Sequence, residues 1–491
     1  MKTNVFLLSC TVALATMFGS CSQDLETPHG ADASSLKAAT AVNACGCERP
    51  FADTITLPNV ISTSMTLNCS NLYLLNGKTF VSNNATLTIP AGTQIEGVYN
   101  SDPLYASALI ITRGSKIIAD GEECCPIVFT VHNALPNPAD NIGRWGGLVI
   151  LGNAQINQST TQTIEGIGLP QVPTGVDITY GTYNSSAYNT ESSGILRYVR
   201  VEYAGASIST DNELNSFTFG GVGSGTTLEY LQAYYGADDA FEFFGGTVNA
   251  KYLLATTAND DAFDFDFGYR GKLQFLVAVL DPAAPYSANA NGIECDNDGS
   301  GSSAQPYTRP IISNLTIVGT STGATTYNPS TNIVLYGTHF RRSSRFALRN
   351  SVVYGYNTTI YLNGSGVYNY LGTNLNNTLS NDSSYFAHNV VGKLSTTGAL
   401  WNNTGWTPNG TNSLVNATTS GLGILYPFNT LRYFDSSYKG LRAYANPILT
   451  GANFDGLDGF FDVTTYKGAL SNDNYWIAGC WVKTTPFPLT W

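Results

Sequence analysis

Residues 239–246 read DAFEFFGG, and the same shape recurs on either side: NSFTFGG at 215–221, DAFDFDFG at 261–268 and NGIECDND at 291–298. The four starts are 24, 22 and 30 residues apart. Within each segment, apolar side chains alternate with others. Phe217/Phe219, Phe241/Phe243, Phe263/Phe265 and Ile293/Cys295 form one set, and Thr218, Glu242, Asp264 and Glu294 fall between them. Period-two alternation means a strand with one buried face. A repeat this short cannot hide that face alone, so the units must stack.

A second strand column runs between these segments: RYVRVEY from Arg197, EYLQAYY from Glu229, KYLLATT from Lys251, QFLVAVL from Gln274, SNLTIVG from Ser313 and RNSVVYG from Arg349. It makes Val199, Leu231, Leu253, Leu276, Leu315 and Ser351 equivalent. Two strand columns at a 22–24-residue period predict a single-stranded parallel β-helix (a solenoid), right-handed by the general rule for parallel crossovers, with loop insertions where the gaps lengthen. Gly-punctuated β-rich runs near residues 86–97, 108–121, 125–130 and 146–157 extend the pattern toward the N-terminus. The expected organisation is a signal peptide over 1–20, a flexible tether over 21–50, the β-helix over 51–400 and an irregular C-terminal cap over 401–491.

Composition agrees with an all-β chain. Charged residues are only 12 % of 491, while Gly, Tyr and Phe number 49, 29 and 23. A net charge of −12 excludes a nucleic-acid partner, which selects basic surfaces. It also disfavours peripheral binding to anionic lipid and suits a cation, a neutral glycan or a basic partner.

Lys2 and the mostly apolar run 5–18 read as a signal-peptide core, too short to span a bilayer. Gly19 and Ser20 before Cys21 resemble a lipobox, with Phe18 in place of the usual Leu, so Cys21 is the expected lipidation site. The acidic SQDLE that follows resembles the export signal of Bacteroidota surface lipoproteins. The lipid would anchor the chain in the outer membrane, surface-exposed. Nine cysteines fall to seven after cleavage and lipidation. Cys45, Cys47, Cys69, Cys124, Cys125 and Cys480 are disulfide candidates, with metal ligation the alternative for Cys45/Cys47 and Cys124/Cys125. Cys295, in an apolar strand column, is the expected free thiol.

The segments RWGGLVILG at 144–152, GILRYVRVEYAG at 194–205, FGGVGSGT at 219–226, DDAFEFFGGTVNAKYL at 238–253 and GLDGFFDVTTYKGAL at 456–470 carry a resemblance. With Arg341-Arg342 and Tyr475-Trp476, they make the chain similar to large envelope lipoproteins of Bacteroidota and some proteobacteria that have parallel β-helix repeats. The resemblance covers about residues 85–490. It implies an accessory or substrate-capturing role beside a TonB-dependent receptor, and it supplies no catalytic residues.

The chemistry concentrates in one place. Glu242, Asp264 and Glu294 occupy equivalent outward positions on successive rungs, with Asp266 and Asp296 two residues on. Strands lie about 4.8 Å apart, and two carboxylates at that spacing repel by about 3.5 kcal/mol at an effective dielectric near 20. Relief could come from a bound cation, for which oxygen ligands favour Ca²⁺, or from a shared proton suited to acid catalysis. The plain alternative is that the acids splay into water beside Lys251, Arg270 and Lys272. The column is expected to end at Thr218 and Val334. Asn215, Asp239, Asp261 and Asn291 read as a turn ladder bonded to backbone, and Asp238 and Asp260 as solvent-facing.

The aligned acids also resemble the carboxylate clusters of β-helix pectinases, where a nearby His or basic residue would be needed. His29, His132, His339 and His388 are all expected outside the acidic rungs, whereas Arg270 or Arg342 could reach them. Tyr234-Tyr235, Tyr354/Tyr356 and Tyr368/Tyr370 are candidates for stacking on sugar. The expectation is a ligand-binding or accessory lipoprotein with Ca²⁺ or glycan on its acidic face. The alternatives are a polysaccharide lyase or hydrolase and a structural adhesin.

Overall fold

The computed structural model describes residues 41–168, 171–209, 212–281, 284, 286–287, 289–319, 335–356, 358–372, 375–379, 381–392, 399–401, 413, 421–427 and 432–484. They fall in one compact unit. The expected signal peptide, Cys21 and most of the tether lie outside them.

The chain is a parallel β-helix. An 11-stranded sheet of short strands and a 16-stranded sheet of longer ones face each other across a common core. The quoted alternation decides the short-strand register. Phe217 pairs with Phe241, Phe241 with Phe263 and Phe263 with Ile293, all in parallel. Their side chains stack inside: Phe217–Phe241 at 5.0 Å, Phe241–Phe263 at 5.6 Å, Phe219–Phe243 at 4.9 Å and Phe243–Phe265 at 5.4 Å between ring centroids. Burying each ring contributes roughly 1.5–3 kcal/mol, and each stacked pair adds ~0.5–1.5 kcal/mol.

The long-strand column follows the expected register as well, Val199 to Leu231 to Leu253 to Leu276 to Leu315. Leu315 N–H then donates to the Ser351 hydroxyl. In the early rungs this flank is two strands. Lys116–Asp120 pairs with the first half of Gly194–Glu202, and Ile127–Val131 with its second half. The later strands run through both positions by bending at one residue. That residue has left-handed φ in every rung: Tyr198 (49°), Tyr230 (55°), Tyr252 (61°), Phe275 (60°), Asn314 (56°) and Asn350 (50°). Such φ costs an aromatic residue about 1–2 kcal/mol. Stacking offsets the cost, with ring centroids 4.5, 4.3 and 5.0 Å apart along Tyr198, Tyr230, Tyr252 and Phe275.

The C-terminal segment, expected as a cap, runs instead along this flank and back toward the early rungs. Asn350 bonds the backbone of Asn453 (2.8 and 3.0 Å), Gln274 that of Asp462 (2.8 and 2.7 Å) and Gln232 that of Lys483 (2.7 and 3.0 Å). Each side-chain amide thus gives the strap the donor and acceptor of a missing strand. A disulfide from Cys480 to Cys124 ties the strap to the early rungs; Cys45–Cys125 and Cys47–Cys69 close the N-terminal rungs. The six cysteines are therefore paired and not metal ligands, while Cys295 is a buried free thiol.

Candidate functional site: an acidic ladder under a cover

Thr218, Glu242, Asp264, Glu294 and His339 are consecutive cross-strand partners on the outer face of the short-strand sheet. The expected column is therefore correct from Thr218 to Glu294, and its next member is His339; Val334, expected there, lies outside the described residues. The gap between rungs is long here, so counting residues misplaces the strand Tyr336–Phe340. The expectation that all histidines lie outside the acidic rungs is corrected with it. His339 Nδ1 sits 3.4 Å from Glu294 Oε2 without hydrogen-bond geometry. Burial and the nearby Arg341 hold its pKa down to about 4, so the imidazole is neutral.

The acids point outward from the coil but do not splay into water. Glu242 and Glu294 are only 5 % and 8 % exposed, and Asp264 and Asp266 are half-buried. The insertion between Leu151 and Gly194 covers part of this face. Its Ile156, Ile164, Ile167 and Tyr180 pack on Phe80, Ile110, Val149, Leu151 and Phe244. The proposed counter-charges are elsewhere: Lys251 pairs with Asp462, Arg270 with Asp382 and Lys272 with Asp458. Arg270 thus leaves the candidate site, whereas Arg342 stays. Arg342 Nη1 meets Asp296 at 2.7 Å, and Arg341 Nε bridges both oxygens of Asp296 at 2.8 and 3.0 Å. Arg341 also pairs with Glu294. The positive charge sits at the Glu294 end, away from Glu242.

Beside the ladder, the turn column behaves as the backbone-bonded reading expected. Asn215 Oδ1 accepts from Asp239 N–H at 3.1 Å, Asp239 Oδ1 from Asp261 N–H at 2.8 Å and Asp261 Oδ1 from Asn291 N–H at 2.6 Å. Each Asp keeps its second oxygen for other work. Asn215 also donates to Glu242, and Asn291 to Glu294 at 3.3 Å.

The result is a dense set of hard donors. One oxygen each from Asp239, Glu242 and Asp264 can lie within 4.8 Å of one another, as can those of Asp261, Asp264 and Glu294, and of Asp238, Asp239 and Asp260. Burial, then neighbouring carboxylates, push Glu242, Asp239, Asp261 and Asp264 well above the usual carboxylate range. Glu294 is pushed up to about 8, mainly by burial and against the pull of Arg341. Among the described residues, Thr218 Oγ1, Tyr180 Oη and Asn291 Oδ1, buried oxygens around the ladder, find no hydrogen-bond partner. Glu242 and Asp266 both act electrostatically on Tyr180.

Asp238 and Asp260, expected to face solvent, are half-buried. With Glu213, Tyr99 and Arg144 they line a cleft of about 600 Å³. Tyr234, Tyr235, Tyr354 and Tyr356 are buried and unavailable to a sugar, while Tyr370 is exposed and packs on Arg345 at 3.6 Å.

A family model described as a pectate-lyase-like β-helix domain matches residues 59–423. The chain belongs to this family. The pectate-lyase-like β-helix domain contains every rung that bears the ladder, and its matched span ends before the strap over 432–484. No curated protein matches the chain, and no solved structure does.

Sequence reasoning missed His339, the pairing of Arg341 and the cover that brings Tyr180 over the acids. A usable signal for His339 was present. In Thr338-His339-Phe340 the apolar Phe340 continues the Cys295 column, which puts His339 outward.

Proposed function

We propose that the protein is a polysaccharide-binding β-helix of the bacterial envelope whose acidic ladder holds Ca²⁺. The observation that carries this is the convergence of buried carboxylates, raised in pKa and facing oxygens that find no partner among the described residues, with the described arginines at one end of the ladder. A divalent cation would turn their mutual repulsion into ligation. Many oxygens in irregular array suit Ca²⁺ better than the strict octahedron of Mg²⁺. Glu242, Asp264 and Glu294, with Asp239 and Asp261, are the ligands; Asp266, Asp296 and Arg342 border the site. The family supports polysaccharide as the ligand class.

Cys21, the small residues before it and the acidic stretch after it support lipid anchoring in the outer membrane, facing outward. The resemblance to envelope lipoproteins supports a place beside a TonB-dependent receptor. Labelling with a palmitate analogue tests the anchor: incorporation lost in Cys21→Ala agrees with it, and incorporation unchanged in that variant refutes it.

Calorimetry of chelator-stripped protein at pH 8 tests the cation. Ca²⁺ is expected to bind, and Glu242→Gln or Asp264→Asn to weaken it by about tenfold or more. Absence of both heat and any rise in unfolding temperature would sink the reading.

One observation favours a second reading, a polysaccharide lyase or hydrolase. Glu294, protonated into the neutral range, lies beside a neutral His339 and the cationic Arg341, which is an acid–base constellation. Polygalacturonate and alginate assayed for unsaturated products or new reducing ends decide it. Turnover lost in Glu294→Gln and in His339→Ala would make the protein an enzyme.

A further inference from the structure

The long-strand corner continues beyond Asn350. Arg349 pairs with Ala387, so His388, with a left-handed φ of 58°, is the next member of the corner column. The strap crosses the corner here. Arg349 Nη1 donates to the Asp455 carbonyl at 2.6 Å, and Nη2 donates to the carbonyl and side-chain oxygens of Asn453 at 2.9 and 2.6 Å. Gly468 N–H donates to the Asn350 carbonyl at 2.7 Å, which brings the neighbouring Lys467 to the same corner. The His388 ring meets the backbone of Gly451. A methyl group placed on the exposed Gly451 would have, among the described residues, only Lys467 within 4 Å, its Cε at 3.7 Å and its Nζ at 3.8 Å. The ammonium therefore borders a hollow that opens past Gly451.

Three basic groups gather here without an acid to balance them. Arg349, His388 and Lys467 are 0, 7 and 6 % exposed. Elsewhere along the strap the lysines are matched: Lys251 with Asp462, Lys272 with Asp458 and Lys483 with Glu202. Among the described residues, none of the three groups at this corner forms an ion pair. The Lys467 ammonium has no hydrogen-bond partner there, and neither has the buried Arg349 Nε. The acid that acts on Arg349 and His388 is Asp455, which is exposed and bonded to Asn453 at 2.7 Å. Burial lowers the pKa of all three groups, Arg349 to about 10, and the two cations lower His388 further. A buried cation without a counter-ion is costly, and an anion delivered to it offsets that cost.

We propose that this corner binds an oxyanion of the sulfate or phosphate type. Its oxygens would accept from the Lys467 ammonium and from His388, protonated in the complex, with the Arg349 guanidinium behind them. The Arg349 fork is engaged by Asn453 and Asp455, so the free donors are separate points. Point donors from different elements suit a tetrahedral anion better than a planar carboxylate, which prefers a fork. The anion is a free ion or an ester group on a larger molecule, and the recognition chemistry is the same. This site lies on the long-strand flank, apart from the acidic ladder, and needs no metal.

The test uses the full chain, stripped of metal and then of chelator, in low-salt buffer at pH 6 and pH 8. Inorganic sulfate, inorganic phosphate and galactose 6-sulfate are titrated by calorimetry, with sodium chloride of equal ionic strength as the control. At least one is expected to bind. Sulfate keeps its charge across this range, so tighter sulfate binding at pH 6 reports proton uptake by His388. Lys467→Met is expected to lower affinity about tenfold or more and to raise the unfolding temperature of the anion-free protein. His388→Asn, which tolerates left-handed φ, is expected to remove the pH dependence. Binding of galactose 6-sulfate at least as tight as that of sulfate assigns the group to a larger molecule, and binding of the inorganic anions alone assigns a free ion. The proposal is overturned if no probe binds beyond the chloride control, or if Lys467→Met and His388→Asn both bind as the unchanged protein does.

Discussion

On one flank of the coil stack carboxylates lie above carboxylates; on another, tyrosines lie above tyrosines. Both columns arise from the same device, a residue repeated at one position of successive rungs. A spacing near 4.8 Å amplifies whatever the side chain does to its own kind. Aromatic rings at 4.3–5.0 Å attract, and their stacking offsets a strained left-handed backbone at the four rungs from Tyr198 to Phe275. Carboxylates in that arrangement repel, and burial under the insertion strengthens the repulsion. The aromatic column is thus self-sufficient, whereas the acidic one needs protons or a cation.

The largest expected effect belongs to the interior that both flanks share. Phe243 stacks on Phe219 and Phe265, packs at a tilt against Tyr269 and is fully buried. Phe243→Ala should cost about 3–5 kcal/mol in denaturant unfolding. A loss below about 1 kcal/mol would mean that the ring column is not the core.

An intermediate effect separates the flanks by sign. The ladder acids have raised folded-state pKa values. Their contribution to stability is therefore full below about pH 4.5 and is lost as pH rises through about 8, the value for Glu294. His339, depressed to about 4 from 6.5, works the other way, losing stability as pH falls below 6.5. Between pH 6.5 and 8 only the acids act, so metal-free protein should weaken with rising pH and Ca²⁺ should abolish the decline. At the upper end of that window Asp264→Asn should stabilise the metal-free protein by about 1–3 kcal/mol, because a neutral amide needs neither to take up a proton on folding nor to repel its neighbours. Stability in EDTA that is flat across this window would break the contrast between the columns.

The smallest effect sharpens the aromatic side. Tyr230→Ala loses both stacking partners and keeps the left-handed strain, whereas Tyr230→Gly loses the rings but relieves the strain. The glycine variant should be the more stable of the two by about 1 kcal/mol in the same unfolding assay. Equal stabilities would mean that the bend carries no strain.

The neighbour relations of the short strands were legible because alternation is local. Phe241 and Glu242 announce which face each takes, and the column from Thr218 to Glu294 follows. Register is lost only after residue 299, where loop length stops being periodic and counting leads to Val334 where the strand places His339. The corner tyrosines were legible as a column but not as a bend, since left-handed φ at Tyr198 or Tyr252 contradicts their local preference and is imposed by the stacked coils.

The amino-acid order alone determined the stacked parallel coils, the inward phenylalanine column, the acidic column beside it and the isolation of Cys295. Each follows from a period of two within strands and of about 22–24 between them. Tertiary structure alone decided that Tyr180 lies over the acids, that Arg341 and His339 meet Glu294 and that the strap brings Lys467 to the corner at His388. Those contacts join residues separated by loops of irregular length, and no local periodicity records where such loops return.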